Sequence, residues 1–442
     1  MSKSDLVSFQ KKLSWIGLMF ICTSVVLNEW VLTKTLSPDG ILAIQTRGAI
    51  RFFNITFFIL GFALVQIGKL VSSREGFHRL SQSYPRTLAC LIGFLLTVTL
   101  VLCAEGMFYL NNYEKEDSVQ ETSWISIPST AEERGFSENP SRRVQGQAIK
   151  DPLLGFKLPK NAQISDKIEL EGQLIYNGTY TTDAYHRRVT PIDHLEQRSD
   201  FLLFFGCSMT FGLWVNDDET MPFYVAQYAS HYRPYNYGVS GYGPHHMLAK
   251  LQSENIAEEI NETHGIAIYT FIDHHIDRAI GRMGEHDASP FYTIDASDSL
   301  VRKGNFISGR PLLSLLYWGI LRSQILKAYG VSFPPRIRED HIRLTARIIE
   351  ESRNAFKKQF PSDEFYVLLY PGVKRGKEMI PYFERAGVKY LDYSSLIDWP
   401  QKGFTLEDKR HPTAKGHRTV AAQLVQDLGK FDIIKNNSQR KR

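Results

Sequence analysis

The chain has 442 residues, of which 43% are hydrophobic and 22% charged, with 31 Gly and 19 Pro, values that exclude a disordered, collagen-like or mainly membrane-embedded protein. Lys and Arg number 52 against 47 Asp and Glu, a balance of +5 with no basic stripe interleaved with aromatics, so a nucleic-acid partner is not expected. The average conceals segregation along the chain, because residues 1–110 are far more apolar than the remainder.

Three apolar runs occupy that first part. Leu13 to Leu32 is interrupted only by Asn28 and Glu29 among strongly polar side chains, and carries Trp15 and Trp30 where interfacial aromatics sit. Phe52 to Gly68 is shorter, and Thr87 to Ala104 has no charge at all. A cleaved signal peptide is the alternative for the first run, but no small-x-small site follows it and further apolar runs do. Lys3, Lys11 and Lys12, and then Lys69, Arg74, Arg79 and Arg86, mark one side of the membrane, whereas Glu105, Glu114, Glu116 and Asp117 follow the third run. The expectation is therefore about three spans, an inside N-terminus and a large domain outside. Four segments result: a membrane anchor at 1–110, a polar linker at 111–147, an α/β domain at 148–434 and a basic tail at 435–442.

Within the large domain, Ile168 to Tyr180 reads as a hairpin or edge strand, and Phe201 to Phe205 as a strand buried in a parallel sheet. A helix is predicted over Met221 to His231, with Tyr224, Tyr228 and Tyr232 on one core-facing stripe. An extended stretch at Tyr235 to Tyr237, a helix over Met247 to Ile260 and a strand over Ile266 to Ile272 follow. Helices over Leu312 to Tyr329 and Asp340 to Phe360 lead to the strand Phe365 to Tyr370, the helix Lys377 to Ala386, the strand Val388 to Leu391 and the last helix, Thr413 to Leu428. Alternation of this kind gives an α/β domain with a mainly parallel sheet, whose ligands bind beyond the carboxyl ends of the strands.

Two motifs at those ends carry chemistry. Gly206-Cys207-Ser208 follows the strand Phe201 to Phe205, and a serine on a strand-to-helix turn presents its hydroxyl beside free backbone N–H groups. An isolated serine there would more often cap the helix. Asp408-Lys409-Arg410-His411-Pro412 precedes the last helix, and an Asp three residues before a His can hold one ring nitrogen and leave the other for the serine. Together they supply a nucleophile, a base and an orienter. The pairs His245 with His246 and His274 with His275 suit a metal poorly, since adjacent strand residues face opposite ways; no metal and no cofactor are expected. His417 reads as a solvated or satisfied histidine. Tyr242 is a plausible pocket residue.

With these residues the chain resembles the SGNH (GDSL-type) hydrolase family, and specifically its membrane-anchored bacterial members. The resemblance covers about Asp151 to Leu428 and includes the leader Asp151-Pro152-Leu153-Leu154-Gly155-Phe156 and a second block, Asn236 to Gly243. It implies a three-layer fold with a mainly parallel sheet, Ser208 as nucleophile, His411 as general base and Asp408 as its partner. It also implies an oxyanion hole from the N–H groups of Ser208 and Gly241. The sequence departs from the family pattern at Cys207, where an Asp is usual, and in the third block, Phe271 to Arg278, which lacks the usual Asn. A neutral His274 or His275 is expected to replace that donor.

The resemblance implies a serine esterase on the periplasmic or extracellular face of a bacterial cytoplasmic membrane, deacetylating or otherwise deacylating a cell-envelope or exported glycan. Its partners would be the acylated glycan and the lipid bilayer. Two alternatives remain open at this point. One is an O-acyltransferase that uses the same triad with a polytopic envelope-biosynthesis partner, and the other is a binding or assembly module with a decayed site.

Overall fold

The computed structural model describes residues 14–24, isolated positions between 57 and 105, and residues 144–439 except 146–147, 171–172, 324, 327–330 and 407. Contacts divide the chain into two compact units, Met1–Gln120 with Glu132–Gly135, and Glu121–Ala131 with Phe136–Arg442. In the first unit residues 14–24 are helical. A Cβ added to Gly17 would stand 2.7 Å from the Gly61 carbonyl oxygen, and one added to Gly61 2.6 Å from that of Gly17, so two backbones cross where only glycine fits. Phe20 stacks on Phe57 beside the crossing, with ring centroids 5.5 Å apart. Among the described residues no helix is long and apolar enough to cross a membrane. Residues 25–32 of the first apolar run, most of the other two runs and of the linker, and the end of the tail lie outside the described residues.

The second unit is built on a parallel sheet of five strands. The strands β6 (Asp200–Phe205), β8 (Gly265–Phe271) and β11 (Glu364–Leu369) are almost wholly buried, because apolar runs of this length need cover on both faces. With β7 (Tyr232–Asn236) and β12 (Lys389–Asp392) they form the order β12-β11-β8-β6-β7, every pair parallel. Right-handed crossovers in that order send α2 (Met221–Tyr228) to one face, where α9 (Ala414–Gln439) packs on it. The other face carries α3 (Pro244–Ser253), α4 (His274–Ile280), α7 (Glu339–Gln359) and α8 (Ile380–Ala386). The strand order reverses between β6 and β8, which opens a crevice at their carboxyl ends. This is the three-layer α/β arrangement that the resemblance implies.

Smaller pieces are added to this frame. The short strand β1 (Val144–Gln145) pairs with β4 (Gln163–Leu170), which forms an antiparallel hairpin with β5 (Gln173–Thr181); β2 (Ile149–Asp151) pairs with β3 (Gly155–Lys157). A second hairpin, β9 (Pro290–Ile294) with β10 (Leu300–Asn305), precedes α5 (Phe306–Gly309) and α6 (Pro311–Arg322). That hairpin has no counterpart in the sequence expectations. Its turn is held by Asp295 Oδ1, which accepts from the N–H of Ser297 and Ser299 at 2.9 and 3.0 Å.

Three boundaries differ from expectation for visible reasons. The helix expected to reach His231 stops at Tyr228 because Tyr232 opens β7, so Tyr224 and Tyr232 are buried but Tyr228 is 48% exposed and the stripe breaks. Pro244 starts α3 earlier than expected, as its fixed φ suits a first helical turn, and puts His245 and His246 in that turn. After Phe271 the chain turns into α4, so His274 and His275 stand on a helix.

Candidate active site

The crevice begins at Gly206, whose φ of +155° and lack of a Cβ are both required, since an added Cβ would lie 2.2 Å from Thr210 Oγ1. The chain then enters α1 (Ser208–Phe211), with Cys207 as N-cap and Ser208 in its first position. Ser208 is buried, and its N–H belongs to the first-turn donors that an α-helix leaves unpaired. Cys207 is fully buried and lies near Tyr269 and Tyr370, whose hydroxyl pKa values are pushed well up by burial first and by this thiol second.

The second motif arrives on the loop before α9. Leu406 N–H donates to His411 O at 2.8 Å and Thr413 N–H to Phe404 O at 2.9 Å, which pinches the loop shut. Inside it, Asp408 Oδ1 accepts from the backbone N–H of Arg410 and of His411, each at 3.0 Å, and Oδ2 stands 2.5 Å from His411 Nδ1. The spacing of three residues thus works as a self-closing turn with the imidazole at its end. His411 Nε2 lies 2.9 Å from Ser208 Oγ. A carboxylate only accepts, so Nδ1 carries the proton and Nε2 presents a lone pair to the serine hydroxyl. Burial pulls the Asp408 pKa up, but the His411 hydrogen bond and charge and the two backbone donors outweigh it and hold the carboxyl below its usual range. The three predicted catalytic residues therefore form one hydrogen-bonded relay.

Residues without any sequence motif fix this geometry. Arg188 is fully buried, and its Nε donates to Asp217 Oδ1 at 2.8 Å, Nη1 to the carbonyls of Phe211 and Gly212 at 2.8 and 2.5 Å, and Nη2 to Val215 O at 2.7 Å. Four acceptors on the segment following Ser208 are thus gathered by one guanidinium. That segment holds Trp214 at φ +65°, its backbone N–H donating to the Tyr180 hydroxyl at 2.8 Å, and sets the indole edge-on to His411 with centroids 5.0 Å apart. A positive φ at tryptophan leaves no trace in sequence, and Arg188 sits in a polar stretch with no motif.

The second block approaches from β7. Asn236 Nδ2 donates to Thr210 O at 3.1 Å and its Oδ1 accepts from Gly238 N–H at 3.0 Å, while Val239 N–H donates to Gly206 O at 3.2 Å. These bonds tie the loop carrying Gly241, at φ +89°, to the nucleophile turn. Arg278 on α4 donates from Nη1 to Tyr242 O at 2.9 Å, next to Gly241. Tyr242 is not a pocket wall: it is buried, donates to Phe156 O at 2.6 Å, and packs with Phe156 and His246. The leader residues Leu154 and Phe156 join Tyr180, Phe211 and Tyr242 in a second apolar cluster under the site.

The third block has other partners than expected. Asp273 accepts from the N–H groups of Lys374, Arg375 and Gly376 at 2.9, 3.1 and 2.9 Å. His274 Nε2 meets Glu285 Oε1 at 2.8 Å, with its side chain 55% exposed. His275 is fully buried, Nδ1 2.7 Å from the Tyr269 hydroxyl, and its Nε2 has no hydrogen-bond partner. Burial, then Arg278, pushes its pKa well below the usual histidine value, so the ring is neutral. No hydrogen bond joins either histidine to Ser208 or Gly241 among the described residues. His417, expected to be solvated or satisfied, is fully buried with neither ring nitrogen hydrogen-bonded. Among the described residues no group of three or more His, Cys, Asp or Glu side chains is arranged to hold a metal.

No protein-family model matches the chain, and no curated protein does. Similar solved structures include a lipolytic protein of the G-D-S-L family from Veillonella parvula, 12% identical, with a TM-score of 0.31 over 52% of this chain and 97% of that one. An acetylxylan esterase from Geobacillus stearothermophilus, in a catalytic mutant form, is 12% identical with a TM-score of 0.30 over 52% and 95%. An acetyl xylan esterase from the rumen bacterium Butyrivibrio proteoclasticus is 13% identical with a TM-score of 0.31 over 57% and 67%. At this level of likeness no activity is transferred to this chain.

Proposed function

We propose that this chain is a membrane-anchored serine esterase of the SGNH type, facing the periplasm or the cell exterior, that removes acyl groups, acetyl foremost, from a cell-envelope or exported glycan. The observation that carries the reading is the relay Ser208–His411–Asp408, with 2.9 and 2.5 Å between successive members. Ser208 Oγ attacks the ester carbonyl as its proton passes to His411 Nε2, and the imidazolium formed is stabilised by the ionised Asp408. The N–H groups of Ser208 and Gly241 receive the oxyanion; one such donor is worth on the order of 100- to 1,000-fold in rate. His411 then protonates the departing sugar oxygen, and water resolves the acyl-enzyme by the reverse route. The glycan rests on the resemblance to membrane-tethered family members. The anchor is supported by the three apolar runs and the glycine crossing of Gly17 with Gly61, a packing that membrane helices favour.

The test uses the full chain in detergent with an aryl acetate and a serine-directed phosphonate. Wild type is expected to hydrolyse and to label, and Ser208→Ala to lose both, with hydrolysis falling at least about 1,000-fold. A folded wild type that neither labels nor hydrolyses overturns the reading. Acyl groups appearing on an added glycan acceptor, in place of free acid, would assign transfer instead.

A further inference from the structure

The helix α6 is apolar on the wrong side. Its buried residues are Ser314, whose hydroxyl donates to Phe306 O at 2.9 Å, and Tyr317, which lies under the Arg310 guanidinium 5.3 Å from its centroid. The outward face carries Leu312, Leu315 and Leu316 at 83, 64 and 53% exposure, flanked by Trp318 and by Ile307 of α5 at 53 and 52%. A solvated helix normally shows the reverse pattern, polar out and leucine in. Scattered apolar residues on a surface need no explanation, but five large ones on the adjoining short helices α5 and α6 do.

The charge around this face identifies what covers it. From Ser299 to Arg338 the sequence contains no Asp or Glu, although the chain has 47 of them, and holds Arg302, Lys303, Arg310, Arg322, Lys327, Arg336 and Arg338. Lys303, Arg322 and Arg336 are exposed, and the Arg322 guanidinium stacks over Trp318 at 3.9 Å. Outward leucines, a tryptophan and exposed basic residues beside them, with Asp287 lying inward near Arg310 and Tyr317, are the signature of a helix lying in the surface of an anionic bilayer. Twelve residues make about 18 Å of helix, too short to span a core of about 30 Å, so the helix lies flat.

We propose that α6 docks the esterase domain onto the anionic lipid surface of the membrane to which the chain is tethered, giving the domain a second, peripheral contact. The proposal rests on the anchor reading above and is independent of the catalytic one. Two contacts restrict how far the site stands from the bilayer, which suits an ester substrate carried by a membrane-proximal glycan.

The experiment places benzoylphenylalanine at Leu315, or at the exposed Glu196 as control, in the full chain reconstituted in vesicles of phosphatidylethanolamine and phosphatidylglycerol. After irradiation, mass spectrometry should find a phospholipid adduct on the α6 peptide and none at position 196. Replacing phosphatidylglycerol by phosphatidylcholine should lower the yield about five-fold or more, the effect of one basic residue leaving an anionic surface. Flotation of the same vesicles reports the anchor, and aryl acetate hydrolysis reports the triad. A chain that floats but gives no lipid adduct at 315 overturns the docking while the anchor stands, as does an adduct only to a second copy or to another segment of the chain. A chain that neither floats nor forms the adduct overturns both.

Discussion

At the scale of single residues, the relay depends on a guanidinium outside it. Arg188 is buried, and its charge is tolerated because Asp217 and three carbonyls accept from it and the rings of Tyr180 and Phe211 lie under its guanidinium. Arg188→Met keeps the volume but strands those acceptors, and is expected to lower unfolding free energy by roughly 3–5 kcal/mol in denaturant titration. Lysine cannot reproduce the fork, so Arg188→Lys should recover little of that loss. Trp214→Ala separates stability from positioning. It removes an edge-on aromatic contact worth about 0.5–1.5 kcal/mol, and should lower kcat about three- to tenfold with KM nearly unchanged. A rise in KM alone would mean that Trp214 touches substrate and does not steady His411.

At the scale of elements, legibility followed burial. The strands β6, β8 and β11 are continuous apolar runs, and they were predicted to within a residue or so because no other structure satisfies such runs in this context. The relay Ser208–His411–Asp408 was legible because both motifs are local: a turn after a strand, and an Asp that closes on a His three residues later. What escaped was set by tertiary partners. The β9–β10 hairpin is held by a side-chain-capped turn, α6 faces its leucines outward, and Asp273 reaches across one hundred residues of sequence to the start of the 3-10 turn Arg375–Met379. The family pattern puts an oxyanion Asn in the block to which Asp273 belongs, yet this carboxylate is occupied by three backbone donors. Asp273→Ala should therefore cost about 1–2 kcal/mol of stability, as the loss of a cap does, while hydrolysis by the folded enzyme changes no more than about twofold. A loss of 100-fold or more without destabilisation would return Asp273 to the reaction.

At the scale of the whole molecule, four buried imidazoles set the response to acid. His245 and His417 are pushed down to about 3 by burial first, and then by Arg278 and His286 in one case and Arg188 and His411 in the other. His246 and His275 are held well below the usual value, again by burial and then by neighbouring histidines and Arg278. The ordinary value in an unfolded chain is about 6.5, so between that pH and about 3 the unfolded state binds protons that the folded state refuses. Stability from these groups is thus complete above about pH 6.5 and falls as the pH drops, each contributing a limiting slope of about 1.4 kcal/mol per pH unit. At pH 5 that is about 2 kcal/mol for each of His245 and His417, with further loss in the same direction from His246 and His275. Asp408, held low in the folded state, adds its own loss only below about pH 4. Denaturant titrations at pH 7, 6 and 5 should show the steepening decline. His417 offers the sharpest check, because neither ring nitrogen makes a hydrogen bond that a substitution would break. His417→Leu removes a group that the unfolded chain protonates and the folded one cannot, so it should be close to wild type at pH 7 and more stable than wild type at pH 5. Equal stability losses between pH 7 and 5 in the two proteins would mean that His417 is protonated in the fold, with an acceptor drawn in to meet it.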